Sequence, residues 1–212
     1  MSLRQKLKNY DAEGVPLTYK ADIAGGSLKV YEARIVADLL LRNLSASEWR
    51  QAIELDNVLQ KTSVGTARRQ ASLIKARLKL VTPELWTIVR DGTKPAATQA
   101  VFACAIAHSS LLRDFLIHDV RDRFRSGNLS LTRNHWRAFV AACQERDPEM
   151  TVWSASTADK LGDSVLRILA EVGMLSESEK PSLQPVHYQP EVMDYLKRNK
   201  FDDVLRAMQA FL

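Results

Sequence analysis

KTSVGTARRQASLIKARLK, residues 61–79, carries six basic side chains and no acidic one, and the nearest acidic residues along the chain are Asp56 and Glu84. When successive residues are placed 100° apart around a helix, five apolar residues between positions 67 and 81 fall on one narrow stripe, within about 80° of one another. That stripe consists of Ala67, Ala71, Ile74, Leu78 and Val81. The pattern predicts a helix over Thr66–Leu80 that buries the stripe and exposes a basic side next to it.

A second helix is predicted directly before the basic one. Ser45 and Glu48 form a capping-box pattern, in which the serine hydroxyl accepts an amide N–H and the glutamate reaches back to the cap amide. This helix should run to about Gln60, and a turn over residues 61–64 should follow, with Ser63 as the next N-cap. Two helices joined by a turn of three or four residues, the second with a basic exposed side, are typical of a helix-turn-helix.

Helical periodicity and turn residues recur along the rest of the chain. After an N-terminal arm with a turn at Gly25–Gly26, the pattern predicts further helices, at about residues 32–43, 83–89, 95–108, 110–125, 132–144 and 156–173, and from Pro190 and Asp202. Two β-capable pieces around a polar, proline-marked loop in residues 174–188 predict a small hairpin after the helix 156–173, as in a winged helix.

These elements predict a mainly α protein with an N-terminal helix-turn-helix and a C-terminal winged-helix-like module that contains a small β-hairpin. The expected division is an N-terminal arm (1–30), a helix-turn-helix domain (31–92), central helices (93–150) and a winged-helix-like C-terminal domain (151–212).

The excess of positive over negative charge is confined to the first part of the chain. Residues 1–90 hold 15 Lys and Arg against 9 Asp and Glu, whereas residues 91–212 hold 15 against 16. A localised basic field indicates a polyanionic partner, either nucleic acid or an anionic membrane surface. The longest mainly apolar run, residues 96–107, is too short to span a bilayer, and the N-terminal residues lack a hydrophobic signal core. We therefore expect a cytoplasmic protein without a membrane partner.

The candidate DNA-binding residues lie in and beside the basic helix. In a helix-turn-helix the early residues of the second helix point at base edges, and basic residues along its flank neutralise phosphates. Without a polyanionic partner, a solvated surface helix normally mixes charges of both signs. We predict that two arginines contact bases or nearby phosphates, three lysines contact phosphates, and hydroxyl side chains contact the backbone or a base edge. The predicted residues are Lys61, Ser63, Thr66, Arg68, Arg69, Ser72, Lys75 and Lys79.

The sequence contains no pattern that predicts catalysis. It has no GxxxxGK[ST] loop, no GxSxG elbow and no HExxH pair, and its four histidines lack metal-ligand spacing. Cys104 and Cys143 lack CxxC spacing and are expected to be buried free thiols. We expect no enzyme, no cofactor and no metal site.

Four stretches together resemble the BrxA family, small accessory proteins of bacteriophage-exclusion (BREX) defence systems. They are ADIAGGSLKVYEARIVADLLL (21–41), DNVLQ and TARRQASLIKARL (within 56–78), PELWTIVRDGTKPAATQAVFACAIAHSSLLRDFL (83–116) and RDPEMTVWSASTADKLGDSVLRILAEVGML (146–175). The resemblance implies a cytoplasmic, mainly helical, non-enzymatic DNA-binding protein that works with other BREX proteins in restricting phage and marking host DNA. Members of the family have been likened to an RNA-binding antitermination protein of the NusB type and to helix-turn-helix proteins.

Three functional hypotheses follow. The first is a double-stranded DNA binder that uses the basic helix. The second is an adaptor whose basic helix docks on an acidic surface of another protein in the defence complex. The third is an RNA binder of NusB-like type, against which the chain lacks an RNP-type aromatic motif and a KH-type GxxG loop.

Overall fold

The computed structural model describes residues 19–23, 27–147, 150–176 and 178–212. Two π-helical segments, Gln51–Leu55 and Phe115–Val120, directly continue the helices Ala46–Arg50 and Ser110–Asp114. The described residues form no β-strand, and the mainly α fold is confirmed. The helices are α1 (Val30–Leu41), α2 (Ala46–Arg50), α3 (Val64–Leu78), α4 (Pro83–Asp91), α5 (Lys94–His108), α6 (Ser110–Asp114), α7 (Arg121–Ser126), α8 (Arg133–Arg146), α9 (Ala155–Glu171), α10 (Pro190–Arg198) and α11 (Asp202–Met208).

Helix α5 lies at the centre of the fold. Its sequence is rich in alanine, and it is buried over most of its length, as expected for a helix that is apolar all round. It packs against α1, α3, α4, α6, α10 and α11. The buried apolar side chains of the described residues form one connected cluster around it. Helix α3 therefore has one side against the core and the other toward solvent.

The connection between α2 and α3 is longer than predicted. The capping box at Ser45 is confirmed, but the helical segment ends at Leu55, five residues before the expected end. The chain leaves the helix because Asn57 and Gln60 have φ angles of 47° and 52°, in the left-handed region. The helix was predicted to reach Gln60 because Leu59 extends the apolar pattern of Trp49 and Ile53, but Leu59 is buried from within this loop. An apolar residue that packs against the core from a loop was therefore assigned to the helix, because its spacing fits a helical pattern.

Helix α3 agrees closely with its prediction. Ser63 is its N-cap and accepts a hydrogen bond from the Thr66 N–H at 3.2 Å. The helix begins two residues earlier than expected, at Val64. Every residue of the predicted apolar stripe is buried, namely Ala67, Ala71, Ile74, Leu78 and Val81.

The predicted C-terminal hairpin is reduced to isolated contacts. The Ser176 N–H donates to the Ser182 carbonyl and the Gln184 N–H donates to the Met174 carbonyl, each at 2.9 Å. The N–H of Leu183, however, donates to the Leu129 carbonyl at 2.8 Å. Because the returning segment divides its hydrogen bonds between two partners, only antiparallel bridges form and no strand develops.

Helices α8 and α9 approach each other closely. The indole N–H of Trp136 donates to the Ala158 carbonyl at 2.8 Å, and the ring covers Gly162. A Cβ atom at Gly162 would lie 2.6 Å from Trp136 Cδ1, so the glycine is required by this approach. Gly127 follows the helix predicted at about 110–125, a position that predicts a left-handed cap; it closes α7 with a φ angle of 72°, as that pattern predicts.

Other predictions have mixed outcomes. Cys104 and Cys143 are buried free thiols, as expected, and burial raises the pKa of Cys104 to about 12. The turn at Gly25–Gly26 and most of the predicted arm (1–30) lie outside the described residues. The division into four segments stays a prediction.

Among the residues that the structure covers, no single helix is both long and apolar enough to cross a membrane. Only α5 and the helical stretch Ser110–Ser126 together meet that criterion, and they are bent by 105° relative to each other.

Candidate nucleic-acid interface

The exposed side of α3 brings together part of the predicted site. Its residues fall within an arc of about 100° around the helix axis, and we call them the outer side of α3. Ser72 and Ala76 lie between the longer basic side chains, and because they are small they leave those side chains accessible to solvent. The outer side consists of Arg68, Arg69, Ser72, Ala76 and Lys79.

Arg68 is exposed but already paired. Its Nε donates to Glu54 Oε1 at 3.0 Å and its Nη2 to Glu54 Oε2 at 2.8 Å. The hydrogen bond from Arg68 holds the pKa of Glu54 below its ordinary value, so this carboxylate is ionised at neutral pH. The sequence prediction treated Arg68 as unbalanced because Glu54 lies outside the basic segment.

Lys61 is paired as well. Its ammonium group lies 2.5 Å from the Glu32 carboxylate on α1, and both side chains are mostly buried. Its backbone N–H donates to the Asn57 side chain at 3.0 Å, which holds the start of the basic segment against the loop. Lys61 therefore joins α1 to the α2–α3 connection in the free protein.

Lys75 contacts an aromatic ring. Its Nζ lies 3.7 Å from the centroid of the Trp49 ring on α2, a cation–π arrangement. Burial lowers the pKa of Lys75, and the nearby charge of Lys79 lowers it further. This contact directs Lys75 along α2, away from the centre of the outer side.

The hydroxyl groups at the start of α3 are used locally. Ser63 Oγ donates to Thr66 Oγ1 at 3.0 Å, in addition to its capping contact. Arg69 Nη2 donates to the same Thr66 oxygen at 3.2 Å. Thr66 therefore orients the Arg69 guanidinium, while Arg69 has no carboxylate partner among the described residues.

Arg77 belongs to the core and not to the basic surface. Its side chain is 2% exposed, and within the described part of the chain none of its three guanidinium nitrogens has a hydrogen-bond partner. Burial lowers its pKa, and the charges of Asp22 and Glu171 oppose that shift. Arg77 is one of the six basic side chains of residues 61–79, but its burial means that it does not contribute to the basic surface.

Two exposed apolar side chains were missed by the sequence reasoning. Leu55 ends the π-helical segment and is 71% exposed, and Val64 begins α3 and is 48% exposed. Both lie at the ends of the α2–α3 connection. The sequence could have revealed them, because each is an apolar residue that lies outside the buried stripe of its helix.

Other kinds of site have little support in the described residues. They contain no group of three His, Cys, Asp or Glu side chains that could hold a metal ion. A surface cavity of about 520 Å³ lies between α7 and α8, and its lining includes Asp119, Asp122 and Arg123. Arg123 forms an ion pair with Asp119 at 2.7 Å, so the charge of Arg123 is already neutralised within the cavity.

The chain is similar to a known family and to several named proteins. A family model named BrxA matches residues 17–200. A "BREX protein BrxA" from Paramagnetospirillum magneticum is 52% identical over 191 residues, which cover 90% of this chain and 96% of the relative. A protein of the same name from Escherichia coli is 31% identical over 188 residues, 89% of this chain and 88% of the relative. Another from Bacillus cereus is 25% identical over 171 residues, 78% and 86% of the two chains.

A solved structure has the same fold. It is described as the crystal structure of an uncharacterized protein from Magnetospirillum magneticum, and it superposes with a TM-score of 0.84 at 48% sequence identity. The match covers 92% of this chain and 100% of the other. The helical arrangement around α3 is therefore shared with an experimentally determined structure.

Proposed function

Because this chain belongs to the BrxA family of BREX phage-defence proteins, we propose that it binds double-stranded DNA through the outer side of α3. It would act without catalysis, in the cytoplasm and together with other BREX proteins. The family places the chain in phage defence, and the DNA-binding part of the proposal depends on the chemistry of α3.

One observation carries the proposal: Arg69 and Lys79 extend from the exposed side of a helix with only small side chains between them. Neither side chain has a carboxylate partner in the described part of the structure. Free cations on one side of a helix can neutralise phosphates of a duplex, and contacts of this kind supply most of the non-specific affinity for DNA.

The helix-turn-helix interpretation is part of the same proposal. It is supported by a capped helix, α2, that precedes a second capped helix with a basic exposed side. The connection over residues 56–63 is longer than in the common motif, so the angle between the helices need not match it. The winged-helix interpretation is supported by the antiparallel hydrogen bonds that follow α9.

Two double variants with equal loss of charge test the proposal. Arg69→Gln/Lys79→Gln removes two cations from the outer side of α3, and Arg133→Gln/Arg137→Gln removes two from α8. Binding to fluorescent duplex DNA, single-stranded DNA and duplex RNA is measured at several salt concentrations. The α3 variant should reduce the slope of log K against log salt by about two, at roughly 0.9 per lost phosphate contact. The α8 variant should leave the slope unchanged.

Three outcomes would contradict the proposal. If the slope of log K against log salt were equal for the parent and the α3 variant, the outer side of α3 would not contact DNA. Tighter binding to duplex RNA than to duplex DNA would favour the NusB-like alternative. No binding of any nucleic acid at moderate salt would favour the adaptor, a function that the exposed Leu55 and Val64 beside the cations support.

A further inference from the structure

We propose that Glu54 is an internal competitor for Arg68, which occupies the arginine in the free protein and thereby lowers the affinity for DNA. The inference rests on the proposed function and identifies a residue that regulates the same side of α3. Glu54 lies on the π-helical segment that continues α2, and it faces the outer side of α3 across the connection.

The contact between the two side chains has the geometry that Arg68 would use for a phosphate. Both Glu54 oxygens accept from the guanidinium, at 3.0 and 2.8 Å, in the two-point arrangement that arginine forms with carboxylates and phosphates alike. A duplex phosphate and Glu54 therefore require the same nitrogen atoms of Arg68. Arg68 cannot satisfy both with its full geometry at the same time.

The two partners differ in freedom. The Arg68 side chain is 61% exposed, whereas that of Glu54 is 16% exposed. Glu54 also lies 3.4 Å from Arg50 Nε, so it keeps one cationic neighbour if Arg68 leaves. We infer that Arg68 moves to the DNA while the Glu54 carboxylate stays near α3.

The exchange should proceed, but at a cost in affinity. Exposed ion pairs are weak and exchange readily, so phosphates can displace Glu54. Once displaced, the carboxylate remains beside the bound phosphate with the same sign of charge. Glu54 therefore opposes DNA binding twice, first by occupying Arg68 and then by repelling the phosphate. Arg69 and Lys79 face no such competitor within the described residues.

A double-mutant cycle tests the inference. Dissociation constants for one fluorescent duplex are measured at fixed salt for the parent, Glu54→Gln, Arg68→Gln and the double variant. Glu54→Gln should bind about threefold to tenfold more tightly, the effect of removing one like charge a few ångströms from a phosphate in a water-rich environment. In the Arg68→Gln background the same change should alter the dissociation constant less than about twofold, because Arg68 no longer holds a phosphate beside residue 54 for the carboxylate to displace or repel.

Asp159→Asn is the matched control. Asp159 accepts two hydrogen bonds from Arg137, at 2.7 and 2.8 Å, so it forms the same kind of exposed pair away from α3. Removing its charge changes the net charge of the protein as much as Glu54→Gln does. Asp159→Asn should leave the dissociation constant unchanged. If it tightened DNA binding as much as Glu54→Gln does, the effect of Glu54→Gln would be explained by net charge alone and the inference would be overturned.

Two further results would overturn it. One is an unchanged dissociation constant for Glu54→Gln; the other is a gain that persists in full when Arg68 is glutamine. The two proposals fail in different ways. If the parent binds duplex DNA and Glu54→Gln binds no more tightly, DNA binding stands and only the role of Glu54 is lost. If neither protein binds at low salt, the proposed function itself is wrong.

Discussion

Helices α3 and α8 both present arginines to solvent, but on α8 both exposed arginines, Arg133 and Arg137, are matched by carboxylates across a helix interface. Arg133 and Arg137 on α8 lie 2.6 and 2.7 Å from Asp163 and Asp159 on α9. On α3, Arg68 alone is paired in this way, and Arg69 is oriented by a threonine. The four arginines are all exposed, so exposure does not distinguish the two helices. The presence of a facing helix does.

The difference has a packing cause. Trp136 and Gly162 bring α8 and α9 together, which places a row of α9 aspartates opposite the α8 arginines. The outer side of α3 has no such neighbour in the described structure, apart from the end of the α2 segment that carries Glu54. A basic helix is therefore a candidate nucleic-acid contact only where the fold leaves its cations without partners. Four predictions test this comparison.

The largest effect is expected from Gly162→Ala, which should separate α8 from α9. The added Cβ would lie 2.6 Å from Trp136 Cδ1, and overpacking of this kind costs about 1–3 kcal/mol of unfolding free energy. Gly65→Ala on α3 is the control, because its Cβ would meet nothing closer than Arg69 Nη1 at 3.8 Å. That change should be neutral or stabilise by at most about 1 kcal/mol. Urea denaturation measures the unfolding free energy of both variants. An equal loss of unfolding free energy in the two would contradict the packing argument.

The second prediction concerns the inner side of α3. Arg77→Met replaces a buried guanidinium that has no hydrogen-bond partner in the described residues with an apolar side chain of similar length. Replacing buried charges in this way is often neutral or stabilising, so we expect between no change and a gain of about 2 kcal/mol in unfolding free energy. Arg69→Met, on the outer side and without a carboxylate partner in the described residues, should leave thermal stability unchanged. A lower melting temperature for Arg77→Met would mean that the guanidinium makes favourable contacts, for example with buried water.

The third prediction concerns the contact between α2 and α3. Lys75→Met keeps most of the side chain and removes the charge that lies 3.7 Å from the Trp49 ring. Lys75 and Trp49 are both half-buried, and a cation–π contact contributes about 0.5–1 kcal/mol even at exposed sites, so at least that amount should be lost. Lys79→Met removes a charge from the same helix without an aromatic partner and should have no effect on stability. Chemical denaturation of the two variants, followed by tryptophan fluorescence, distinguishes them; equal stabilities would exclude the contact.

The smallest effect is expected at the α8–α9 pairs. The hydrogen bond from Arg137 holds the pKa of Asp159 below its ordinary value, so Arg137→Gln should raise that pKa toward the ordinary value. A carboxyl with a lowered folded pKa stabilises the fold above its unfolded pKa and loses this effect as the pH falls through the folded pKa. Any stability difference between parent and variant should therefore vanish in acid.

An NMR titration of the Asp159 carboxyl measures this shift directly. Arg68→Gln is the matched control, since it should raise the pKa of Glu54 and leave that of Asp159 unchanged. If Arg137→Gln leaves the Asp159 pKa where it was, the pair does not persist in solution.

Much of the fold could be predicted because its signals are local. The caps at Ser45 and Ser63, the stripe of α3 and the glycine that closes α7 each depend on residues a few positions apart. The errors arose where distant contacts decided the outcome. Leu59 extended a helical pattern but is buried from within a loop. The Leu183 N–H donates to the Leu129 carbonyl and not to the opposite piece of the predicted hairpin.

The candidate site divides in the same way. The sequence by itself determined that α3 is a helix, which side is buried and that its exposed side is basic, because those properties follow from residues within four positions of one another. Only the tertiary structure decided which cations are free. Glu54 and Glu32 reach Arg68 and Lys61 from 14 and 29 positions away, and side-chain charges combine through space, whatever their order along the chain.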